Sequence, residues 1–284
     1  MPRAHRFFLP GYVWHITHRC HDKSFLLERA DTRFRWIEWL HKARIEYGIS
    51  ILNYAVTCNH IHLLTAGGAS RNAISKSMQL VAGRTAQEFN LEFSRHGAFW
   101  EDRYHATAIE SGAHLLNCLT YIDLNMVRTG VVTHPGDWPH CGYWEIRNHS
   151  GRFAIIDRKT LLACLQIADE ESLRTKLDAA VDDAIARGLA REPKWSEAVA
   201  VGNPAFLAEM KSRLGKRAIR RSVVASEIPQ NKTENVFALR EPMAHYGEFS
   251  KSDLECDQDS VLCGDNTCLW TTEGEHENGI SRIM

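Results

Sequence analysis

No stretch of this 284-residue sequence approaches the ~20 uninterrupted apolar residues of a membrane-spanning helix, which excludes a helical membrane protein. The opening Met1-Pro-Arg-Ala-His-Arg6 is basic, but Pro10-Gly11 breaks the apolar Phe7-Phe8-Leu9 at once. No signal-peptide hydrophobic region follows, and a cytoplasmic location is expected. The eight cysteines, at positions 20, 58, 118, 141, 164, 256, 263 and 268, form no CxxC pair, and the one CxxxxC spacing, Cys263 to Cys268, has no second pair to complete a four-cysteine site. A zinc ribbon or redox dithiol is thereby excluded, and the thiols are expected to be reduced and mostly structural. With 44% hydrophobic and 24% charged residues the chain can bury a core, which excludes a disordered or small disulfide-stapled protein.

The sequence also lacks the basic excess usual in proteins that bind phosphate backbones, since its net charge is −1. The average conceals a split. Residues 1–221 hold 30 Lys+Arg against 23 Asp+Glu, and residues 222–284 hold 4 against 12. A mildly basic body therefore carries an acidic tail. Histidine is concentrated too: 13 of 15 precede residue 150, which directs attention there for metal or proton chemistry.

Gly11–His18 alternates Tyr12, Trp14 and Ile16 at period two and predicts a strand. Ala30 to Tyr47 follows helical spacing and is closed by Gly48. Ile49 to Thr65 is apolar and β-branched, interrupted at Thr57-Cys-Asn-His60, and predicts two strands or one bent strand. A second helix is expected from about Ser70 to Asn90, and a strand from Trp100 to Ile109. A third helix is expected from Ser111 to about Val127, ending near Gly130. This order, without tandem βαβ units, predicts an α+β domain with helices packed on a mainly antiparallel sheet. The expected division is a domain over residues 1–150, a helical region over 151–221 with helices near Leu161–Arg191 and after Asn203-Pro204, and a flexible acidic tail over 222–284.

Asn59-His-Ile-His-Leu-Leu64 is the sharpest motif. Two residues apart on a strand share a face, with Cβ atoms roughly 6–7 Å apart, so both imidazoles can converge on one cation while Ile61 and Leu63 enter the core. Such a pair also occurs as hydrogen-bonded surface histidines. In Tyr121-Ile-Asp-Leu-Asn-Met-Val-Arg128, Tyr121 and Asn125 stand four apart on the predicted helix and share a face, although a buried tyrosine is ordinarily a packing residue.

Taken with His15-Ile-Thr-His-Arg19 and Trp100-Glu-Asp-Arg-Tyr-His105, these blocks resemble the single-tyrosine transposases of the HUH nuclease superfamily, most closely the REP-associated tyrosine transposases. The resemblance covers residues about 8–150, and the commoner Asn-Pro-Val reads Asn125-Met-Val127 here. It implies a ferredoxin-like core, with Tyr121 as the nucleophile and His60 and His62 as metal ligands. Asn125, an amide oxygen one turn on, is the expected third ligand for Mg²⁺ or Mn²⁺. His15, like His18 and His105, is a candidate either to sit behind the site residues in a structural or positioning role or to contact DNA. Arg19, Arg103 and Arg128 are candidate DNA contacts, as are Lys216 and Arg217 in the run Lys211–Arg221, which holds six basic residues in eleven. Trp100, Tyr104, Trp138, Tyr143 and Trp144 are candidates to stack unpaired bases or to pack at the rim.

The expected activity is nicking and rejoining of single-stranded DNA near hairpins through a 5′-phosphotyrosine. A homodimer is one arrangement the resemblance allows. Two other readings stand beside it: a catalytically silent hairpin-binding regulator, and an unrelated metal phosphodiesterase built on the histidine pair.

Overall fold

Alternation along the first strand sends Trp14, Ile16 and His18 to one face of a sheet and His15, Thr17 and Arg19 to the other, and the fold follows from covering both. The computed structural model describes residues 8–67, 70, 72–148, 154–215, 222–225 (backbone only) and 237–240. Its first half runs β1 (Val13–Arg19), α1 (Ala30–Tyr47), β2 (Ser50–Val56), β3 (His60–Ala66), α2 (Ala73–Glu92) and β4 (His105–Ile109). These strands lie in the order β2-β3-β1-β4 with every ladder antiparallel, which is the ferredoxin-like arrangement. Helices α1 and α2 pack on one another. Trp100 ties α2 to the Trp14 face, stacking its indole on His18 at 4.2 Å and donating its N–H to the Ala82 carbonyl.

A one-residue bulge in β2 decides what the other face carries. The register passes from Ile51↔Thr65 to Asn53↔Leu64, skipping Leu52. Asn53 and Ala55 thereby join the face of His62, whereas uninterrupted pairing would have put Tyr54 there.

The sheet continues past β4 through β5 (Ala200–Gly202), paired parallel to it, then β7 (Phe237–Arg240) and β6 (Ser222–Ala225). One seven-stranded sheet therefore runs across both of the boundaries expected at 150 and 221. The expectation of a flexible tail from residue 222 is corrected at β6 and β7, where Ala238 and Leu239 are buried. Strands of three or four residues fall below the length at which alternation is legible. The remaining tail lies outside the described residues.

After β4 come α3 (Ala113–Asp123), α4 (Asn125–Arg128), α5 (Tyr143–Arg147), α6 (Arg158–Leu165), α7 (Glu170–Arg187), α8 (Lys194–Glu197) and α9 (Pro204–Leu214). The single helix expected over Leu161–Arg191 is two, because Gln166 takes a left-handed conformation and Asp169 caps a new start by accepting from the Ser172 N–H. Asn203 caps α9 in the same way, with Pro204 at its first position. The strand expected from Trp100 starts only at His105, and upstream a lone bridge joins Trp100 to Cys20. Among the described residues no helix is long and apolar enough to cross a membrane.

Candidate active site

The hairpin between β2 and β3 fixes the first histidine. Thr57 and His60 close it through a 3.0 Å backbone bond, and the Thr57 hydroxyl also accepts from the His60 N–H. His60 Nδ1 then lies 2.7 Å from Asn59 Oδ1 and 2.9 Å from Thr57 Oγ1, so its ring is held from behind and Nε2 points into the site. His62, two residues on and buried, brings its Nε2 to 3.1 Å from that of His60. As expected from the spacing, Ile61 and Leu63 enter the core on the opposite face.

The tyrosine comes from α3, and the continuous helix expected to carry both Tyr121 and Asn125 is interrupted. Leu124, with ψ near 7°, ends α3 and begins α4, so Tyr121 lies in the last turn of one helix and Asn125 opens the next. Hydrogen bonding carries across the joint, from Leu124 N–H to Thr120 O and from Arg128 N–H to Leu124 O, and the two side chains stay together. Asn125 Nδ2 lies 2.9 Å from His62 Nε2, and the Tyr121 and His62 rings meet edge-on at 5.9 Å.

A buried polar network docks α3 on the sheet. Asn53, delivered by the bulge, donates to Asp123 Oδ1 at 2.8 Å, and Arg147 of α5 reaches Asp123 Oδ2 at 3.3 Å and Asp178 of α7 at 2.6 Å. Gly142 permits this approach: a Cβ there would stand 2.5 Å from Asn53 Oδ1. The Asp123 side chain is wholly buried and its carboxyl is pushed up by burial, against the pull of Arg147 and Asn53. Asp123→Ala would leave the buried Arg147 without its innermost partner, and is expected to cost about 3–5 kcal/mol of stability. Urea unfolding measures it, and a loss below about 1 kcal/mol would show that the network does not hold the helix.

Burial dominates the electrostatics. It lowers His15 to about 3, helped by His105 and His60, and His60 to about 4, helped by Arg19, Arg128 and Arg191. His62 is held well below its ordinary value by burial, His60 and His15. All three imidazoles are thus neutral at pH 7, the form that binds a cation. Burial raises the Tyr121 phenol, against the lowering influence of Arg128 and Arg191. The Arg128 guanidinium lies 4.2 Å from the centre of the Tyr121 ring and donates to the Tyr121 carbonyl.

The donor set fits a divalent cation. Two neutral imidazole nitrogens converge, and Asn125 Oδ1 is buried with no partner among the described residues. Among the described residues no group of three His, Cys, Asp or Glu side chains is placed to hold an ion, so an amide oxygen is the third protein donor on offer.

The structure thus brings together Tyr121, His60, His62 and Asn125. It also sets Arg128 over the face of the Tyr121 ring. His15 is completely buried, which corrects the DNA-contact reading and leaves the structural or positioning one. Arg19 pairs with Glu101, and Arg103 is exposed. Lys216 and Arg217 lie outside the described residues. Of the five aromatics considered for base stacking, Trp138 and Tyr143 are buried, Trp100 and Tyr104 are partly buried, and Trp144 is 53% exposed. Sequence reasoning missed Trp195, whose ring lies 6.1 Å from that of Tyr121 and whose carbonyl meets His15. Nothing in the charged stretch around it announces that contact.

No protein of curated function matches the sequence significantly. Among solved structures, a REP-associated tyrosine transposase bound to a REP hairpin is 20% identical, with a TM-score of 0.43 over 51% of this chain and 84% of its own. A chain from Deinococcus radiodurans R1 taken to be a transposase is 14% identical, with a TM-score of 0.29 over 37% and 83%. The family described as IS200-like transposases matches residues 10–125, a span that starts ahead of β1 and ends on Asn125, enclosing both histidines and the tyrosine. Over residues 10–125, about two fifths of its length, this chain is similar to the IS200-like transposases.

Proposed function

We propose that this chain is a metal-dependent strand transferase that nicks and rejoins single-stranded DNA beside a hairpin through a 5′-phosphotyrosine. The observation that carries the reading is the meeting of Tyr121 with the neutral His60–His62 pair and the unpartnered Asn125 oxygen, in a segment similar to the IS200-like transposases. His60 Nε2, His62 Nε2 and the Asn125 amide oxygen would hold Mg²⁺ or Mn²⁺. When bound, the ion would neutralise charge on a non-bridging phosphate oxygen and on the departing 3′-oxygen.

The protein's own part is to supply and position the nucleophile. Tyr121 loses its phenolic proton to solvent and its oxygen bonds to phosphorus as the P–O3′ bond breaks; the 3′-oxygen then takes up a proton from water. An unperturbed phenol costs about 4 kcal/mol to ionise at pH 7, and burial adds to that. Arg128 offsets part of the cost by placing a cation over the ring. Attack on the phosphotyrosine by another 3′-OH reverses the step and joins strands, without ATP, because the covalent link conserves the phosphodiester. One nucleophile cuts one strand, which favours a single-stranded substrate.

The test is incubation of the full chain with hairpin-bearing single strands and Mn²⁺, followed by a denaturing gel. A protein–DNA adduct that EDTA abolishes is expected, and His60→Ala should lower its rate by about 100-fold or more. Hairpin binding without an adduct would leave a silent regulator in place of this enzyme. Hydrolysis of small phosphodiesters without an adduct would leave a metal phosphodiesterase.

A further inference from the structure

We propose that His15 is a positioning residue that fixes the tautomer of His62 through a relay starting at the Trp195 main-chain carbonyl; this rests on the metal reading of the His60–His62 pair. His15 Nδ1 lies 2.8 Å from the Trp195 carbonyl oxygen. A carbonyl only accepts, so Nδ1 of His15 carries its ring's proton and Nε2 is a bare lone pair. That lone pair lies 2.9 Å from His62 Nδ1. His62 Nδ1 must therefore donate, and the remaining nitrogen of His62, Nε2, has no proton. Nε2 is the atom that faces His60 Nε2 and Asn125. The relay thus delivers an unprotonated nitrogen to the place where the cation is wanted.

Each link is fixed. His15 is completely buried, and its ring plane lies within 14° of that of His62. The carbonyl belongs to α8, a short helix about 70 residues beyond the end of the family-matched segment. Two side chains of β4 hold that turn to the sheet: Thr107 donates to the Ala198 carbonyl at 2.6 Å, and His105 Nε2 lies 2.9 Å from the same oxygen. Removing the acceptor at His62 Nδ1 would let the other tautomer form, with a proton on Nε2 pointing into the metal position. Partners of this kind, one bond removed from the ligand, set the orientation and basicity of metal-binding histidines.

His15→Phe keeps a planar ring but neither accepts nor donates, whereas His15→Gln can accept from His62 and donate to the Trp195 carbonyl. Mn²⁺ affinity of the full chain, read from the electron paramagnetic resonance signal of free Mn²⁺, is expected to fall about 10- to 100-fold in His15→Phe and to stay within about fivefold in His15→Gln. Wild-type affinity in His15→Phe, or equal losses in both variants, overturns the inference. Should His15→Phe not fold, long-range ¹H–¹⁵N spectra of the unmutated, metal-free chain decide it. His15 and His62 are both expected as Nδ1–H tautomers, and His62 protonated on Nε2 overturns the relay. Failure of the unmutated chain to bind Mn²⁺ overturns the metal reading instead and takes this inference with it; the tautomer spectra tell the two failures apart.

Discussion

Tyr121→Phe is expected to abolish the covalent protein–DNA adduct, by about 10⁴-fold or more, while leaving the fold and metal binding in place. The substitution deletes one oxygen and keeps the ring. That ring makes the contacts that matter for packing: Arg128 over its face at 4.2 Å, Trp195 at 6.1 Å, and His62 and His15 edge-on at 5.9 and 6.4 Å. The unfolding midpoint should therefore move little. Tyr104 and Tyr143 are no substitutes: Tyr104 packs with Phe8 and His18, and Tyr143 lies against Arg147 and His134. Peptide mapping of the wild-type adduct checks the assignment independently. Attachment anywhere but Tyr121, or undiminished adduct from the Phe variant, would refute the nucleophile.

The second large effect is acid lability. His15 and His140 are held down to about 3 and His60 to about 4, chiefly by burial, against an ordinary value of 6.5. Below pH 6.5 the unfolded chain takes up protons at these positions that the folded chain refuses. Stability is therefore full above about pH 6.5 and falls as pH drops towards the folded values. Each such group contributes up to about 1.4 kcal/mol per pH unit, so about 2 kcal/mol each between pH 6.5 and 5. Three of them remove a large part of the 5–15 kcal/mol that ordinarily holds a domain together. Urea titrations at pH 7.5 and 5 measure the difference. His140, packed between Phe34 and Trp138 away from the tyrosine, supplies the control: His140→Gln should flatten the pH dependence by about 2 kcal/mol over that range. Equal stability at the two pH values would contradict the burial of these rings as neutral groups.

The elements that were legible in the sequence are those long enough to show a period. Helix α1 occupies Ala30–Tyr47 as its spacing predicts, with Gly48 in the left-handed conformation at its end. The apolar run after Ile49 resolves into two strands around Thr57–His60. Short elements were not legible. β5, β6 and β7 have three or four residues each, and the last two sit in acid-rich sequence that otherwise reads as a tail.

By itself the sequence determined the ingredients of the site. A period of two puts His60 and His62 on one face of any strand they occupy, and four-residue spacing keeps Tyr121 near Asn125 even across the break at Leu124, because both rules are properties of the backbone. Tertiary structure decided how those ingredients are held. The bulge at Leu52 turns Asn53 to the histidine face to meet Asp123, Arg147 arrives from α5 to close that network, and α8 lends the Trp195 carbonyl to His15. These partners are separated by 70, 24 and 180 residues along the chain. No local pattern encodes such contacts, since they arise only when the covering helices dock and buried polar groups must find partners in place of water.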